Sequence, residues 1–347
     1  MNPIGDRIAY GFNIPVPSGS GHQGTGIFFV FQKIGGKNQR IKIPIKEITR
    51  EEWLKLRKEG IGGSDAGAIC GLNPYASPMS VYQDKTSPEI SEQDNEAMRQ
   101  GRDLEDYVAR RFTEATGLKV RRSNVMYKSE EFPFMLADVD RLIVGEDAGL
   151  ECKTANAFQT DKWKDGEVPV HYLIQCLHYM AVTGKSTWYL AVVILGREFR
   201  YVKLERDEAM VQNLIAVEKD FWMNHVIPGI MPDPDGSQSC EEVILRYFPR
   251  AKQESIPLPD SFNEELKRRE EILELMERLE KEQRQIEQKI KLFLGDSQGA
   301  ENLRYRVSWS NVDTQRVDSR RLKEEQPDVY SRFSKVSHSR KFTVKAA

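Results

Sequence analysis

The chain lacks any apolar run near the ~18 residues that a membrane-spanning helix needs. Its longest strongly apolar stretch is 188–195, so no bilayer-spanning role is expected. Cysteine is scarce: Cys70, Cys152, Cys176 and Cys240 stand far apart with no Cys-x-x-Cys pair. That spacing excludes a zinc ribbon and a disulfide scaffold. The first ten residues show no charged-then-apolar leader, and the expected setting is soluble, reducing and cytoplasmic. Net charge is nearly absent too, with 51 basic against 53 acidic residues and a pI of about 6.3. By itself this argues against a generally basic nucleic-acid-coating protein. The distribution differs from the total. Residues 1–50 carry seven basic and two acidic groups and residues 301–347 eleven and six, a charge of +5 each, while 51–300 carries −12.

A length of 347 residues predicts two domains plus attachments, at roughly 150 residues per domain. Residues 1–48 are rich in Gly and Pro, with two β-like runs, Ile27–Phe31 and Arg40–Ile45, that suggest a short hairpin or a mobile arm in an N-terminal extension of unassigned role. A core is expected over 49–235. Thr49 and Glu52 have capping-box spacing for a helix stopped at Gly60, and Ser64 or Asp65 caps a short helix after a Gly-rich turn. Ser77 and Pro78 open another helix. The stripe Ala97, Gly101, Leu104, Val108, Phe112 and Ala115 predicts a long amphipathic helix from about Glu92 to Thr116. Then come a hairpin (Phe134–Val144 and Gly149–Ala155), a helix at Val170–Gly184, strands at Thr187–Leu195 and Phe199–Leu204, and a helix at Arg206–Val226. This order suits an α/β core with a mixed sheet flanked by helices.

A linker and long charged helix follow over 236–299. Ile272, Met276, Leu279, Gln283, Ile286, Ile290 and Phe293 keep a heptad seam through Phe262–Leu294. An intramolecular helical hairpin, an intermolecular coiled coil and a solvated helix lying against the core all remain open. The basic region 300–347 interleaves cations with Trp309, Tyr330, Phe333 and Phe342. That pattern fits nucleic-acid contact or a small α+β appendage.

The segment that carries chemistry is Asp138 and Asp140, followed by Glu151, Cys152 and Lys153. Strand alternation puts Asp138 and Asp140 on one face and Glu151 and Lys153 on one face. A tight turn between the strands brings Asp140 and Glu151 together. Two carboxylates that close repel unless a cation lies between them. Hard oxygen ligands suit Mg²⁺, with Mn²⁺ as a substitute, and the Cys152 backbone carbonyl offers a further ligand. Such an ion assists in-line attack on phosphorus, with Lys153 orienting or deprotonating the attacking water. The same charges could instead pair across a wet sheet face. Alternation with Leu136, Val139, Leu150 and Cys152 favours the site, because it makes the strands half buried. Glu105 borders the apolar stripe of its helix and either meets the metal or bends outward. Gln175 and Tyr179, four residues apart, face one way and reach either Lys153 and a phosphate or only each other.

The run of Trp53, Arg57 and 61–67, then Gly71–Tyr75, Gly101 with Leu104 and Glu105, Asp138 with Asp140, Glu151–Lys153, and Gln175 with Tyr179 resembles the YqaJ viral recombinase family. That family is similar to phage lambda exonuclease, within the PD-(D/E)XK nuclease superfamily, and the resemblance covers about 50–230. It implies a PD-(D/E)XK core, a central mixed sheet flanked by helices, here followed by a long C-terminal helix and the small α+β appendage. It implies Asp140 and Glu151 as metal ligands, Lys153 as catalytic lysine, and Glu105 as an acid near a second metal, with Gln175 assisting. Arg57 matches an arginine that engages a terminal 5′-phosphate and Ser64 a serine near the cleavage site, with Gly63 and Tyr179 beside them. A Gly-rich turn opening a helix presents free N–H groups to such a phosphate. Asp138 is a second acid where the family needs one.

The expected activity is Mg²⁺-dependent 5′-to-3′ exonuclease action on double-stranded DNA ends, leaving 3′ single strands for phage-type recombination in a bacterial host. The resemblance further implies a single-strand annealing protein as partner and a homotrimer. The alternatives are a structure-specific or restriction-like endonuclease on the same core, or a non-catalytic DNA-binding recombination protein. Iron–sulfur variants are not expected, because the four scattered cysteines lack the paired spacing they use.

Overall fold

In a computed structural model of the chain, residues 40–89, 95–337 and 339–345 are described. They fall into two compact units that divide between Tyr247 and Phe248. The first unit begins with β1 (Arg40–Pro44), α1 (Arg50–Lys58), α2 (Gly63–Ile69), α3 (Pro78–Thr86) and α4 (Glu96–Thr116). Five strands follow: β2 (Val120–Arg122), β3 (Val125–Ser129), β4 (Leu136–Asp138), β5 (Arg141–Ile143) and β6 (Ala148–Ala155). A 3-10 segment (Ala157–Gly166) leads to α5 (Val170–Thr183), β7 (Thr187–Ile194), β8 (Glu198–Glu205), α6 (Glu208–Phe221) and α7 (Gln238–Tyr247).

Local chemistry accounts for the helix ends. Thr49 and Glu52 form the expected capping box, with Glu52 N–H donating to Thr49 Oγ1 at 3.2 Å and Thr49 N–H to Glu52 Oε2 at 2.7 Å. Gly184 ends α5 in the left-handed region at φ 67°, where a side chain would be strained.

The central sheet has five strands in the order β2-β5-β6-β7-β8. Only the β6–β7 pair is parallel, and α5 makes the crossover between them, as a parallel pair requires. Alternation along β7 sorts its side chains. Tyr189, Ala191 and Val193 pack with Leu150 of β6 under Val108 and Phe112 of α4. Trp188, Leu190, Val192 and Ile194 pack beneath Ile174 and Leu177 of α5. The sheet is therefore buried on both faces, and its strands read as continuous apolar runs. A second antiparallel sheet, β1-β3-β4, lies in the same unit.

The structure departs from the sequence expectation in several places. Phe134–Val144 is not one strand. It divides at Val139 and Asp140, with β4 pairing to β3 and β5 to β2 and β6. The hairpin with β6 is thus limited to Arg141 opposite Leu150 and Leu142 opposite Gly149. Neither Ser64 nor Asp65 caps α2; the cap is Gly62, whose N–H donates to Asp65 Oδ2 at 2.9 Å. The helix expected to reach Val226 ends at Phe221 and continues as a π turn over Trp222–Val226. β1 pairs with β3, and the Ile27–Phe31 run of the expected hairpin lies outside the described residues.

The second unit contains α8 (Asn263–Leu294), β9 (Gly299–Glu301), β10 (Arg306–Ser308), α9 (Ser319–Glu325) and α10 (Pro327–Phe333). Its other helices are only seven residues long, so α8 finds no helical-hairpin partner among the described residues of the unit. Ile272, Met276, Leu279, Ile286 and Phe293 of the heptad seam are exposed.

Gly149 is a point of close packing in the central sheet. A Cβ there would sit 2.4 Å from the Trp188 ring, and Trp188 is wholly buried. Gly149→Ala is expected to destabilise the first unit by about 2–3 kcal/mol through overpacking, read as a lower urea midpoint. An unchanged midpoint would refute this packing account.

Candidate active site

The site residues converge because β6 presents alternate side chains to opposite faces. Leu150 turns towards α4, while Glu151 meets Gln175 of α5. Glu151 is 2% exposed, and its Oε1 accepts from Lys153 Nζ at 2.6 Å and Gln175 Nε2 at 2.8 Å. Its Oε2 is buried and has no hydrogen-bond partner. Asp140 sits where the chain passes from β4 to β5, and its Oδ2 accepts from Cys152 N–H at 2.8 Å.

Burial raises the carboxyl of Asp140 well above its ordinary range, and the Glu151 charge adds to the effect. Burial likewise raises Glu151, against the pull of the Lys153 ammonium. For Lys153, burial opposes the charged form, but the Glu151 carboxylate, with Tyr172 and Asp140, outweighs it and raises the pKa. The centre thus holds two mutually repelling carboxyls and one firmly protonated lysine.

An orphaned, buried carboxylate oxygen beside a second carboxyl fits a divalent cation. Asp140, Glu151 and the Cys152 carbonyl are the groups that would hold it. Among the described residues no group of three or more His, Cys, Asp or Glu side chains is arranged to hold a metal ion. The reason is visible at Glu105, whose Oε1 is taken by the Arg141 guanidinium. Arg141 also binds Asp106 Oδ1 at 2.6 Å and the Asp140 carbonyl at 2.7 Å. Burial and the Asp140 charge still raise the Glu105 pKa. A pair of carboxylates suffices for Mg²⁺, which is commonly held by one or two together with water and substrate phosphate.

Asp138, one face-mate in the sequence reading, belongs to the other sheet and accepts from Trp53 Nε1 at 2.7 Å. Burial raises its pKa against that bond. The Arg50 and Arg57 guanidinium carbons lie over the Trp53 ring, 4.2 and 5.1 Å from its centroid. Arg57 Nη2 donates to Ser64 Oγ at 3.0 Å. Both line the same cleft of about 620 Å³ as Glu105, Asp140, Glu151 and Lys153. Gly63 and Tyr179 line it too, but their contacts are with each other and with Gln175. A Cβ on Gly63 would meet Tyr179 at 2.5 Å, and Tyr179 Oη accepts from Gln175 Nε2 at 2.8 Å.

Sequence reasoning passed over the support beneath Arg57. Lys85 has a fully buried side chain and bonds Asp65 Oδ2 at 2.7 Å and the Arg57 carbonyl at 3.0 Å. Burial would raise Asp65, yet the charges of Lys85 and Arg57 hold it down at about 2. Asp65 therefore fixes the Gly62–Ser64 turn and the arginine together. The spacing of Asp65 three residues after Gly62 was the available signal.

A model of the YqaJ-like viral recombinase domain matches residues 52–186. The uncharacterized protein YqaJ of Bacillus subtilis (strain 168) is 37% identical over 303 residues, covering 86% of this chain and 95% of that protein. Among solved structures, the alkaline exonuclease LHK-Exo of Laribacter hongkongensis is 20% identical with a TM-score of 0.45, covering 52% of this chain and 94% of that one. LHK-Exo in complex with dAMP gives a TM-score of 0.46 at 20% identity, covering 57% and 97%.

Asp65→Asn would remove the shorter of the two ion pairs of buried Lys85 and leave it only Asp84 Oδ2 at 3.2 Å, a loss of about 2 kcal/mol at pH 7. A depressed carboxyl stabilises the fold above its unfolded pKa and loses that effect as pH falls through its folded value. The gap between native and variant urea midpoints is therefore expected to narrow from about pH 4 towards about pH 2. A gap independent of pH would disprove the ion-pair account.

Proposed function

Because the chain belongs to the YqaJ family of viral-recombinase-like proteins, we propose that its acidic cleft is the centre of a divalent-metal-dependent deoxyribonuclease that trims duplex DNA ends. The observation that carries this reading is the unpartnered Oε2 of buried Glu151, a side chain that neighbours Asp140 and holds the Lys153 ammonium on its other oxygen. A scaffold kept only for binding has no use for so costly an arrangement. Bound Mg²⁺, or Mn²⁺ in its place, would neutralise the two carboxylates and stabilise charge developing on the phosphate.

The chain's own groups supply the rest. Gln175 fixes the Glu151 carboxylate, and Tyr179 fixes Gln175. Lys153, held protonated, donates to the attacking water or to a non-bridging phosphate oxygen and offsets the growing negative charge. Arg57 and Ser64 present donors to a terminal 5′-phosphate. Water adds to phosphorus as the bond to the 3′ oxygen breaks, and the 3′ oxygen leaves with a proton. The shortened strand then ends in a 5′-phosphate, the same group that Arg57 and Ser64 receive, so one round prepares the next. This chemistry runs 5′ to 3′ and exposes the 3′ single strand that an annealing partner needs, with a ring-shaped homotrimer retaining the duplex between rounds.

Asp140→Ala and Lys153→Ala are each expected to lower Mg²⁺-dependent release of nucleotides by roughly 10²–10⁴-fold. The measurement uses linear duplexes labelled separately at the 5′ and 3′ ends, with a chelator control. Undiminished cleavage by either variant would sink the assignment. Arg57→Ala should abolish the preference for 5′-phosphate over 5′-hydroxyl ends. Covalently closed circles should survive intact, and their cleavage would favour the endonuclease alternative.

A further inference from the structure

A line of aromatic rings leads away from Lys153 outside the acidic cleft, and the activity proposed above leaves it without a role. Lys153 Nζ lies 4.8 Å from the centroid of the Tyr172 ring. His171 packs on Tyr172 with centroids 4.1 Å apart, and Tyr75 stands edge-on to His171 at 6.2 Å and 87°. Behind them Trp163, almost fully buried, stacks on Tyr172 at 5.8 Å. The rings are held in place. Tyr75 N–H donates to Asn73 Oδ1 at 2.9 Å, and Gln159 Nε2 donates to Tyr75 Oη at 3.2 Å, joining the loop after α2 to the 3-10 segment. His171 sits directly against Gly67, where a Cβ would meet its backbone at 3.2 Å.

Although Tyr75 is anchored by two bonds, it is 65% exposed. A large ring fixed in place yet open to solvent buries little of itself within the fold. Burial lowers the His171 pKa to about 4, helped by the charges of Lys153 and Lys162, so at neutral pH its ring is an uncharged flat surface.

We propose that the Tyr75 ring, braced edge-on by His171, is a stacking shelf for an unpaired nucleobase of the DNA strand that passes Lys153, an inference that rests on the nuclease reading above. Every base has a π face, so such a shelf holds the strand without reading its sequence. Arg57 and Ser64 grip a phosphate at one end of the site, and the shelf grips a base at the other.

The test uses the full chain carrying Asp140→Asn to silence cleavage, and a short single-stranded oligodeoxynucleotide containing 2-aminopurine. Tyr75→Ala is expected to weaken binding about ten-fold and to remove the fluorescence quenching. Tyr75→Phe keeps the ring, and its affinity should stay within about two-fold of the parent. The slope of log Kd against log salt should not change, because no phosphate contact is lost. Thermal melting of each variant checks folding. Three results overturn the proposal: unaltered affinity in Tyr75→Ala, equal loss in Tyr75→Phe (which assigns the effect to the bond with Gln159), or no binding by the parent. End-labelled duplex cleavage by the chain with Asp140 intact separates the two readings. Cleavage with unaltered Tyr75→Ala affinity removes the shelf alone, whereas absence of cleavage removes the nuclease reading.

Discussion

Burying the Glu151 carboxylate is the constraint around which the first unit is arranged. A charge out of water is expensive unless other groups replace its hydration. Lys153 and Gln175 satisfy one oxygen, and the second is left without a donor. Each neighbour needs support in turn. Gln175 is steadied by Tyr179, and Tyr179 leans on the space that Gly63 leaves open. The site therefore reaches from the central sheet into α5 and α2 through contacts too close to change one at a time.

Helix α5 is where these demands meet. Its Leu177 and Ile174 belong to the core beneath the sheet, while Gln175 and Tyr179 serve the cleft. His178, fully buried, fastens the helix on two sides, with Nδ1 2.7 Å from Glu218 Oε1 of α6 and Nε2 2.8 Å from the Leu136 carbonyl of β4. Burial disfavours the charged imidazole, but Glu218 outweighs it and raises the His178 pKa. The helix that aligns Gln175 is thus tied to the strand that ends at Asp138. The two sheets are coupled through a polar pair deep in the core.

Much of this was legible in the sequence because it is local. The Thr49 capping box, the stripe of α4, the apolar run of β7 and the alternation in β6 all act over a few residues, and the structure follows them. The gathering of Asp140, Glu151, Lys153 and Gln175 could also be read, since a short turn and one crossover helix dictate it. The rest depends on partners distant in sequence. Nothing local distinguishes Ala137 from Leu142, so the break at Val139 and Asp140 appears only once β3 claims one side and β6 the other. Glu105 looked free to meet a cation because Arg141, thirty-six residues away, has no periodic relation to it. Lys85 reads as an ordinary exposed helix lysine until Asp65 is folded beneath it.

The strand β6 carries a consequence of a different kind. Its odd-numbered residues Glu151 and Lys153 carry the proposed chemistry, and even-numbered Leu150 and Cys152 face the α4 side. Function here is written in parity. Strand geometry gives no intermediate setting, so inserting one residue would exchange the two sets, placing charges under α4 and apolar groups in the cleft. A point substitution in this strand alters one side chain, whereas a change in its length alters all of them. Changes in length should therefore accumulate in the turn before Ala148, where the count can vary without altering which side each residue takes.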